Sequence, residues 1–138
     1  MSGQDVEVVR AIFDRFAEQD LEGFLELVAK DVEWLSASVR EEGREPFRGH
    51  EGIRAWFAEA EAAHGYTVAP LHFQAGSPEG VVYVSAFVTI FRAGGGRLRE
   101  NPWAHYVFEL RDGVVVRLRT YFDEAEALSA AGLSDRAG

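Results

Sequence analysis

The second half of this chain consists of strand-like segments separated by short turn signals. Four segments are rich in β-branched and aromatic residues: Tyr66–Gln74, Val81–Arg92, Leu98–Leu110 and Val114–Phe122. The turns between them contain glycine: Gly76–Gly80, Gly94–Gly96 and Arg111–Gly113. Residues of this kind favour the half-buried surface of a sheet, and short turns join neighbouring antiparallel strands. The pattern therefore predicts a four-stranded antiparallel meander.

The first half has helical periodicity instead. Apolar residues recur every three or four positions in three groups: Val6, Val9, Phe13 and Phe16; Leu21, Phe24, Leu25 and Val28; Ile53, Trp56, Phe57 and Ala60. Each group predicts one buried helix face. Asp20 is a candidate N-cap of the second helix, and Lys30 suits its C-terminal end. Between the second and third helices, Asp31–Ser38 alternates like a short strand, Arg40–Arg48 predicts a loop, and Gly49 precedes the third helix.

Helices followed by an antiparallel sheet predict an α+β domain with the helices on one face of the sheet. Asp123 and Glu126 resemble a capping box that opens a short C-terminal helix ending at Gly132. The 138 residues suffice for one domain with a real core. A curved sheet covered by helices leaves an internal pocket, which is a common ligand site.

Composition excludes several functions. The chain has no cysteine, which removes disulfides, zinc–thiolate sites and thiol nucleophiles and fits a cytoplasmic location. A formal net charge of −9 disfavours nucleic acid and membrane surfaces as partners. The four histidines show no metal-ligand spacing, and no nucleotide fingerprint is present. We therefore predict neither a metal nor a cofactor.

Three segments carry a family resemblance. Val9–Val32 is similar to the opening helix pair of the nuclear transport factor 2-like, or SnoaL-like (polyketide cyclase-like), superfamily. Phe47–Arg54 resembles the entry to its third helix, and Phe108–Leu133 resembles its closing hairpin and tail. The resemblance implies a single domain over residues 1–138, with a core of about 6–133. It also implies a cone-shaped, curved mixed β-sheet packed against three N-terminal helices, with an internal pocket.

The catalytic groups that the resemblance would imply are missing. The ketosteroid isomerase base, tyrosine and second acid fall on Ser36, Ile12 and Ala104. The aspartate shared by epoxide hydrolase-like and cyclase-like members falls on Thr120, and the cyclase histidine falls on Tyr106. Neither a hydroxyl nor an aliphatic group replaces a carboxylate that activates water. The candidates for an unrecognised catalytic set are therefore Tyr106, its neighbour His105, and Asp123.

Alternation along the strands predicts which side chains face the pocket. The predicted ligand-binding residues are Phe13, Phe16, Trp34, Ser36, Trp56, Val88, Tyr106, Leu118, Thr120 and Phe122. Val116 is predicted to face inward with them. His105 points to the opposite face unless the register slips near Pro102. The same aromatic residues could also simply fill the core.

Three functions remain open. The first is a SnoaL-like protein that binds a small hydrophobic molecule in an apolar pocket without strong chemistry. The second is an isomerase, cyclase or hydrolase with a non-standard catalytic set, and the third is a protein-interaction module that uses the outer sheet face. That face mixes aromatic and charged residues, which suits a homodimer interface or a solvated ladder of ion pairs. The predicted interface residues are Trp103, His105, Arg117, Arg119 and Tyr121.

Overall fold

The computed structural model describes residues 2–36, 43, 45–62, 67–89 and 103–133. Four helices lie within these ranges: α1 (Ser2–Ala17), α2 (Leu21–Leu25), α3 (Gly49–Ala62) and α4 (Glu124–Ala130). The strands are β1 (Val28–Leu35), β2 (Phe47–Arg48), β3 (Thr67–Ala75), β4 (Val81–Thr89), β5 (Trp103–Arg111) and β6 (Val114–Tyr121). None of the described helices is long and apolar enough to cross a membrane.

The strands form one curved, open, mixed sheet in the order β2-β1-β6-β5-β4-β3. Neighbouring strands are antiparallel except β1 and β6, which run parallel. The four strands β3 to β6 follow one another as the meander that their turns predict. Helices α1, α2 and α3 precede the meander, so the predicted α+β architecture is confirmed.

Two hydrophobic clusters lie on opposite faces of the sheet. The inner cluster joins α1, α2 and α3 to the sheet, and its fully buried members include Val9, Phe24, Trp34, Ile53 and Phe108. The outer cluster is smaller and lies beneath α4; its buried members are Tyr83, Val107, Tyr121, Ala127 and Ala131. Burial of apolar side chains is the main favourable term in folding, so the inner cluster dominates stability.

Local capping and turn signals are confirmed where the structure describes them. The Asp20 side chain accepts a hydrogen bond from the Gly23 backbone N–H at 3.0 Å. Asp123 accepts from the Ala125 N–H at 3.2 Å and thereby caps α4. Asp112 and Gly113 join β5 to β6 with φ angles of 55° and 82°. Two successive positive φ angles are characteristic of the type I′ hairpin turn.

The predicted second helix is too long. The observed helix α2 ends at Leu25. Val28 begins β1, so Lys30 lies inside a strand. The cause is tertiary: Val28 is the register partner of Val115 in β6, and the Val115 N–H donates to the Leu27 carbonyl at 2.9 Å. A strand partner far along the chain thus overrides the local helical spacing.

Two smaller predictions also fail. Phe47 and Arg48 form the short strand β2 against β1, although the sequence predicts a loop there. The pairing of β5 and β6 shifts between Glu109 and Leu110, so Leu110 pairs with Val115 instead of Val116. This bulge puts Val115 in the inner core and leaves Val116 half-buried.

Some predictions fall outside the described residues and stay predictions. These are the end of the strand predicted to reach Ser38, part of the loop predicted over Arg40–Arg48, the first residue of the strand predicted from Tyr66, the end of the strand predicted to reach Arg92, the turn Gly94–Gly96, the start of the strand predicted from Leu98, and Pro102.

Candidate functional site

A cavity of about 20 Å³ lies between the inner face of the sheet and the helices. Its lining comes from α1, α2, β1, α3, β3 and β5: Ile12, Phe13, Phe16, Phe24, Trp34, Trp56, Val68, Tyr106 and Phe108. No acid, lysine or arginine is among these residues. A cavity of this volume holds about one water molecule, so side chains fill most of the space that the sheet and helices enclose.

Aromatic rings pack against one another around this cavity. Phe13 makes edge-to-face contacts with Phe73, Tyr106 and Phe108 at centroid distances of 5.9, 5.2 and 5.9 Å. Tyr106 and Phe108 alternate on β5 and stack at 6.0 Å with an interplanar angle of 10°. Edge-to-face and offset contacts are the favourable geometries for aromatic pairs. The lining is therefore a cohesive aromatic cluster.

The lining is only half-buried on the side of the cavity formed by α1 and α3. Phe16 and Trp56 stack there at 4.9 Å, and both are half-buried. Phe57 is also half-buried and contacts both rings edge-on, at 5.6 Å from Phe16 and 5.5 Å from Trp56. Half-buried side chains have room to change rotamer, whereas Phe24 and Trp34 deeper in the cavity are almost completely buried.

Trp34 places a polar atom in these apolar surroundings. Its side chain is 2% exposed, and its indole Nε1 has no hydrogen-bond partner among the described residues. The rings around it belong to Phe24, Trp56 and Phe108, at 5.4, 5.1 and 6.2 Å. Buried donors almost always have an acceptor, so this atom calls for a physical explanation.

The structure brings together part of the predicted ligand-binding set. Phe13, Phe16, Trp34, Trp56 and Tyr106 line the cavity. Leu118 and Val88 belong to the same inner cluster. Thr120 is 5% exposed and faces Tyr106 across the β5–β6 pairing. Ser36 and Phe122 lie just beyond the ends of β1 and β6, are half-buried, and are not among the lining residues.

Four lining residues are missing from the predicted set: Ile12, Phe24, Val68 and Phe108. Phe108 follows Tyr106 by two positions on β5, so strand alternation places it on the same face. Ile12 follows Val9 by three positions, so helical spacing places it on the same face as Phe13. Phe24 lies on the predicted buried face of the second helix. Val68 lies on β3, and the sequence predicts only that it belongs to a strand, not that it lines the cavity.

The candidate catalytic residues do not converge on one site. Tyr106 lines the cavity, whereas His105 lies on the opposite face of the sheet because the pairing from Trp103 to Glu109 is regular. No register slip therefore occurs over these residues. Asp123 caps α4 at the outer side of the sheet. The titratable side chain that remains at the cavity is Tyr106.

His105 instead forms a buried pair with Tyr83. The Tyr83 hydroxyl lies 2.9 Å from His105 Nδ1, and the rings stack at an interplanar angle of 11°. Burial lowers the pKa of His105, while the carboxylates of Glu124 and Asp123 oppose that change. Burial and Glu124 raise the pKa of Tyr83 to about 12. A neutral imidazole protonated on Nε2 accepts the tyrosine hydrogen bond at Nδ1.

The rest of the outer face carries a ladder of ion pairs, which we call the outer ladder: Arg48, Glu33, Arg117, Glu109 and Arg119. Successive nitrogen–oxygen distances along it are 2.8, 3.1, 3.6 and 3.0 Å. Of the five predicted interface residues, Trp103 is 41% exposed, whereas His105 and Tyr121 are each 7% exposed. Tyr121 belongs to the cluster beneath α4 and His105 lies beside that cluster, so both present little free surface.

Groups of side chains that could hold a metal ion are absent from the part of the chain that the structure describes. The aromatic cavity, the Tyr83–His105 pair and the outer ladder are the candidates that involve the predicted site and interface residues. The cavity alone combines enclosure, ring-lined walls and an unpartnered donor.

Comparison with known proteins identifies relatives of this fold. The family model of the SnoaL-like domain matches residues 9–118. Bal32a, from a soil-derived mobile gene cassette, is 26% identical with a TM-score of 0.76, and the match covers 94% of this chain and 97% of that one. TerC, co-crystallised with polyporic acid, is 24% identical with a TM-score of 0.73, covering 95% and 99%.

A third similar structure is RV0760c from Mycobacterium tuberculosis in complex with estradiol-17β-hemisuccinate. It is 19% identical with a TM-score of 0.68, and the match covers 88% of this chain and 95% of that one. At such identities TerC and RV0760c show the shared fold alone. Comparison with curated protein sequences gives no match.

Proposed function

The chain belongs to the SnoaL-like domain family, and from that premise we propose that it binds a small, planar, apolar molecule in the aromatic cavity. The observation that carries the proposal is the lining, which consists of apolar and aromatic residues without an acid, lysine or arginine. Ligand sites are commonly concave, apolar and supplied with a few polar groups. Such walls bind flat molecules by burying apolar area and stacking rings.

Two similar structures support a ligand that contains rings. TerC was crystallised with polyporic acid and RV0760c with estradiol-17β-hemisuccinate. Both compounds are organic molecules with several rings. A cavity lined by Phe13, Trp34, Trp56 and Phe108 offers ring faces and edges to molecules of that kind.

Binding requires the cavity to enlarge. Its volume of about 20 Å³ is far below the several hundred Å³ typical of ligand pockets. The Phe16–Trp56 stack is the part that can move, because both rings are half-buried at the α1–α3 side. We propose that a ligand enters by separating this stack and that its own ring then replaces the lost contact.

Tryptophan fluorescence tests the proposal directly. Trp34 and Trp56 line the cavity, whereas Trp103 lies on the outer face. In a Trp103→Phe background, emission reports on the cavity alone. We expect fluorene and 9-fluorenone, two planar probes, to change that emission saturably, and native mass spectrometry to show one bound molecule per chain.

A variant that fills the cavity provides the control. Val68→Phe adds a ring to the lining and should abolish the fluorescence change, and the milder Val68→Leu should weaken it. Circular dichroism establishes that each variant is folded. If neither probe binds the folded parent protein at its solubility limit, the cavity is a filled core and the proposed function is wrong.

We also propose that the chain forms a homodimer through the outer sheet face, as the family resemblance implies. The exposed ring of Trp103 and the outer ladder support this proposal. The ladder contains three arginines and two glutamates with 30 to 62% side-chain exposure. Exposed ion pairs contribute only about 0 to 1 kcal/mol each to folding, so the ladder adds little to the stability of one chain. The same alternating charges can pair across a two-fold axis.

Sedimentation velocity tests the dimer. Trp103→Glu places a charge on the proposed interface and should convert a dimer to a monomer. Leu71→Glu is the matched control, because Leu71 is the other large exposed apolar side chain described, at 59%, and lies on the edge strand β3, two strands from Trp103. A parent protein that sediments as a monomer at micromolar concentration, or a Trp103→Glu variant that remains dimeric, contradicts the proposal.

A further inference from the structure

We propose that Trp34 selects the ligand, by donating its indole N–H to a neutral acceptor oxygen such as a ketone. This inference rests on the proposed function, because it assumes that the aromatic cavity admits a ligand. It adds a chemical requirement that apolar packing alone does not impose. The preferred ligand is then a planar ketone and not the corresponding hydrocarbon.

The first argument is the unpartnered donor. Trp34 Nε1 has no hydrogen-bond partner among the described residues, and Trp34 is only 2% exposed. Its nearest rings, those of Phe24 and Trp56, offer no carbonyl or carboxylate oxygen. A buried N–H that lacks an acceptor costs free energy, which a ligand oxygen can recover.

The second argument is the charge of the lining. An indole N–H is a donor only, so its partner must be an acceptor. An anionic acceptor would lose its hydration without meeting a lysine or arginine in the lining. A neutral carbonyl or ether oxygen avoids that cost. The geometry therefore favours neutral acceptors over carboxylates.

The third argument is rigidity. Trp34 lies on an interior strand, where its register partners are Phe47 on β2 and Leu118 on β6. The indole also packs at 5.4 Å against Phe24 and at 5.1 Å against Trp56. A donor held on both sides has little freedom to turn away. A ligand oxygen must come to the indole, which fixes the orientation of the ligand.

Fluorene and 9-fluorenone form a matched pair of probes, because a carbonyl replaces a methylene in the same planar skeleton. Isothermal titration calorimetry of the full chain should give a 9-fluorenone affinity about tenfold higher than that of fluorene, as expected for one net hydrogen bond. Trp34→Phe should bring the ratio to about one, mainly by weakening 9-fluorenone. Trp103→Phe, which removes the indole on the outer face, should leave the ratio unchanged.

Nuclear magnetic resonance keeps the test independent of any variant at Trp34 that fails to fold. The indole N–H signals of the unmodified chain are assigned through Trp56→Phe and Trp103→Phe. 9-Fluorenone should move the Trp34 signal downfield, and fluorene should not. An unmoved Trp34 signal with bound 9-fluorenone overturns the inference.

The outcomes separate this inference from the proposed function. If both probes bind with equal affinity, or if Trp34→Phe retains the preference, the acceptor requirement is wrong while the ligand cavity stands. If neither probe binds the folded protein, the cavity is closed and both proposals fail together.

Discussion

The buried Tyr83–His105 pair gives the most informative stability prediction. Tyr83→Phe removes the hydroxyl 2.9 Å from His105 Nδ1 without changing the shape of the ring. Tyr83 is 2% exposed and His105 is 7% exposed, so water does not easily replace the missing donor. The imidazole then retains a buried nitrogen without a partner. We expect a loss of about 1–3 kcal/mol in the free energy of unfolding.

Chain length converts that loss into a melting temperature. Unfolding entropy is about 2.1 cal/mol/K per residue, so 138 residues give about 0.29 kcal/mol/K. The Tyr83→Phe variant should therefore melt about 3–10 °C below the parent protein. His72→Leu changes an exposed histidine and should alter the free energy by less than about 0.5 kcal/mol.

The pair also makes stability sensitive to acid. The pKa of His105 is lower in the folded chain than its ordinary value of 6.5. The unfolded state therefore binds more protons between the folded pKa and about 6.5. The stabilisation of the folded state by neutral His105 is fully present above pH 6.5. It is lost as the pH falls from there through the pKa of His105 in the folded chain. The titratable groups around His105 include Tyr83 from β4, its register partner Tyr121 on β6, and the carboxylates of Asp123 and Glu124 at the start of α4.

Urea unfolding followed by circular dichroism at pH 7.5 and pH 5.5 tests both effects. The titration of one histidine changes the free energy of unfolding by at most about 1.4 kcal/mol per pH unit. His105→Leu should remove the part of the pH dependence that comes from His105. In a double-mutant cycle, Tyr83→Phe with His105→Leu should be less destabilised than the sum of the single variants, because no buried polar atom is left alone. Additive losses, or an unchanged acid slope in His105→Leu, would refute the reasoning.

Three further changes test the packing and caps, each by urea unfolding. Phe24→Ala removes a fully buried ring from the inner cluster and should cost about 3–5 kcal/mol; a loss below 1 kcal/mol would mean that the cavity lining is loose. Gly132→Ala should cost at least about 1 kcal/mol, because φ is +71° and a Cβ would collide with the Ser77 carbonyl oxygen; an unchanged stability would contradict that contact. Asp20→Ala removes the cap on the Gly23 N–H and should lower the free energy of unfolding by about 0.5–2 kcal/mol. Asp20→Asn should retain most of the stabilisation that the cap provides.

Local signals predict the parts of this fold that local physics decides. The turn at Asp112 and Gly113 needs two positive φ angles, and Asp-Gly is a sequence that adopts them readily. Asp20 and Asp123 cap helices through atoms two or three residues away. The length of the second helix is different, because Val28 joins β1 through Val115, a residue 87 positions later. No window of neighbouring residues contains that information.

The candidate site shows the same division more sharply. Alternation on β5 places Tyr106 inward and His105 outward, and the regular pairing from Trp103 to Glu109 preserves that assignment. On β6 the bulge turns Val115 inward in place of the predicted Val116. The prediction failed because the sequence carries no sign of one extra residue in a ladder.

The volume of the cavity depends on still finer detail. Rotamers of side chains on different elements decide whether rings such as Phe16 and Trp56 leave space or fill it. Periodicity can say that these rings point inward together. Only their packed geometry shows that about 20 Å³ remains between them, and only the neighbours of Trp34 show that its donor has been left without an acceptor.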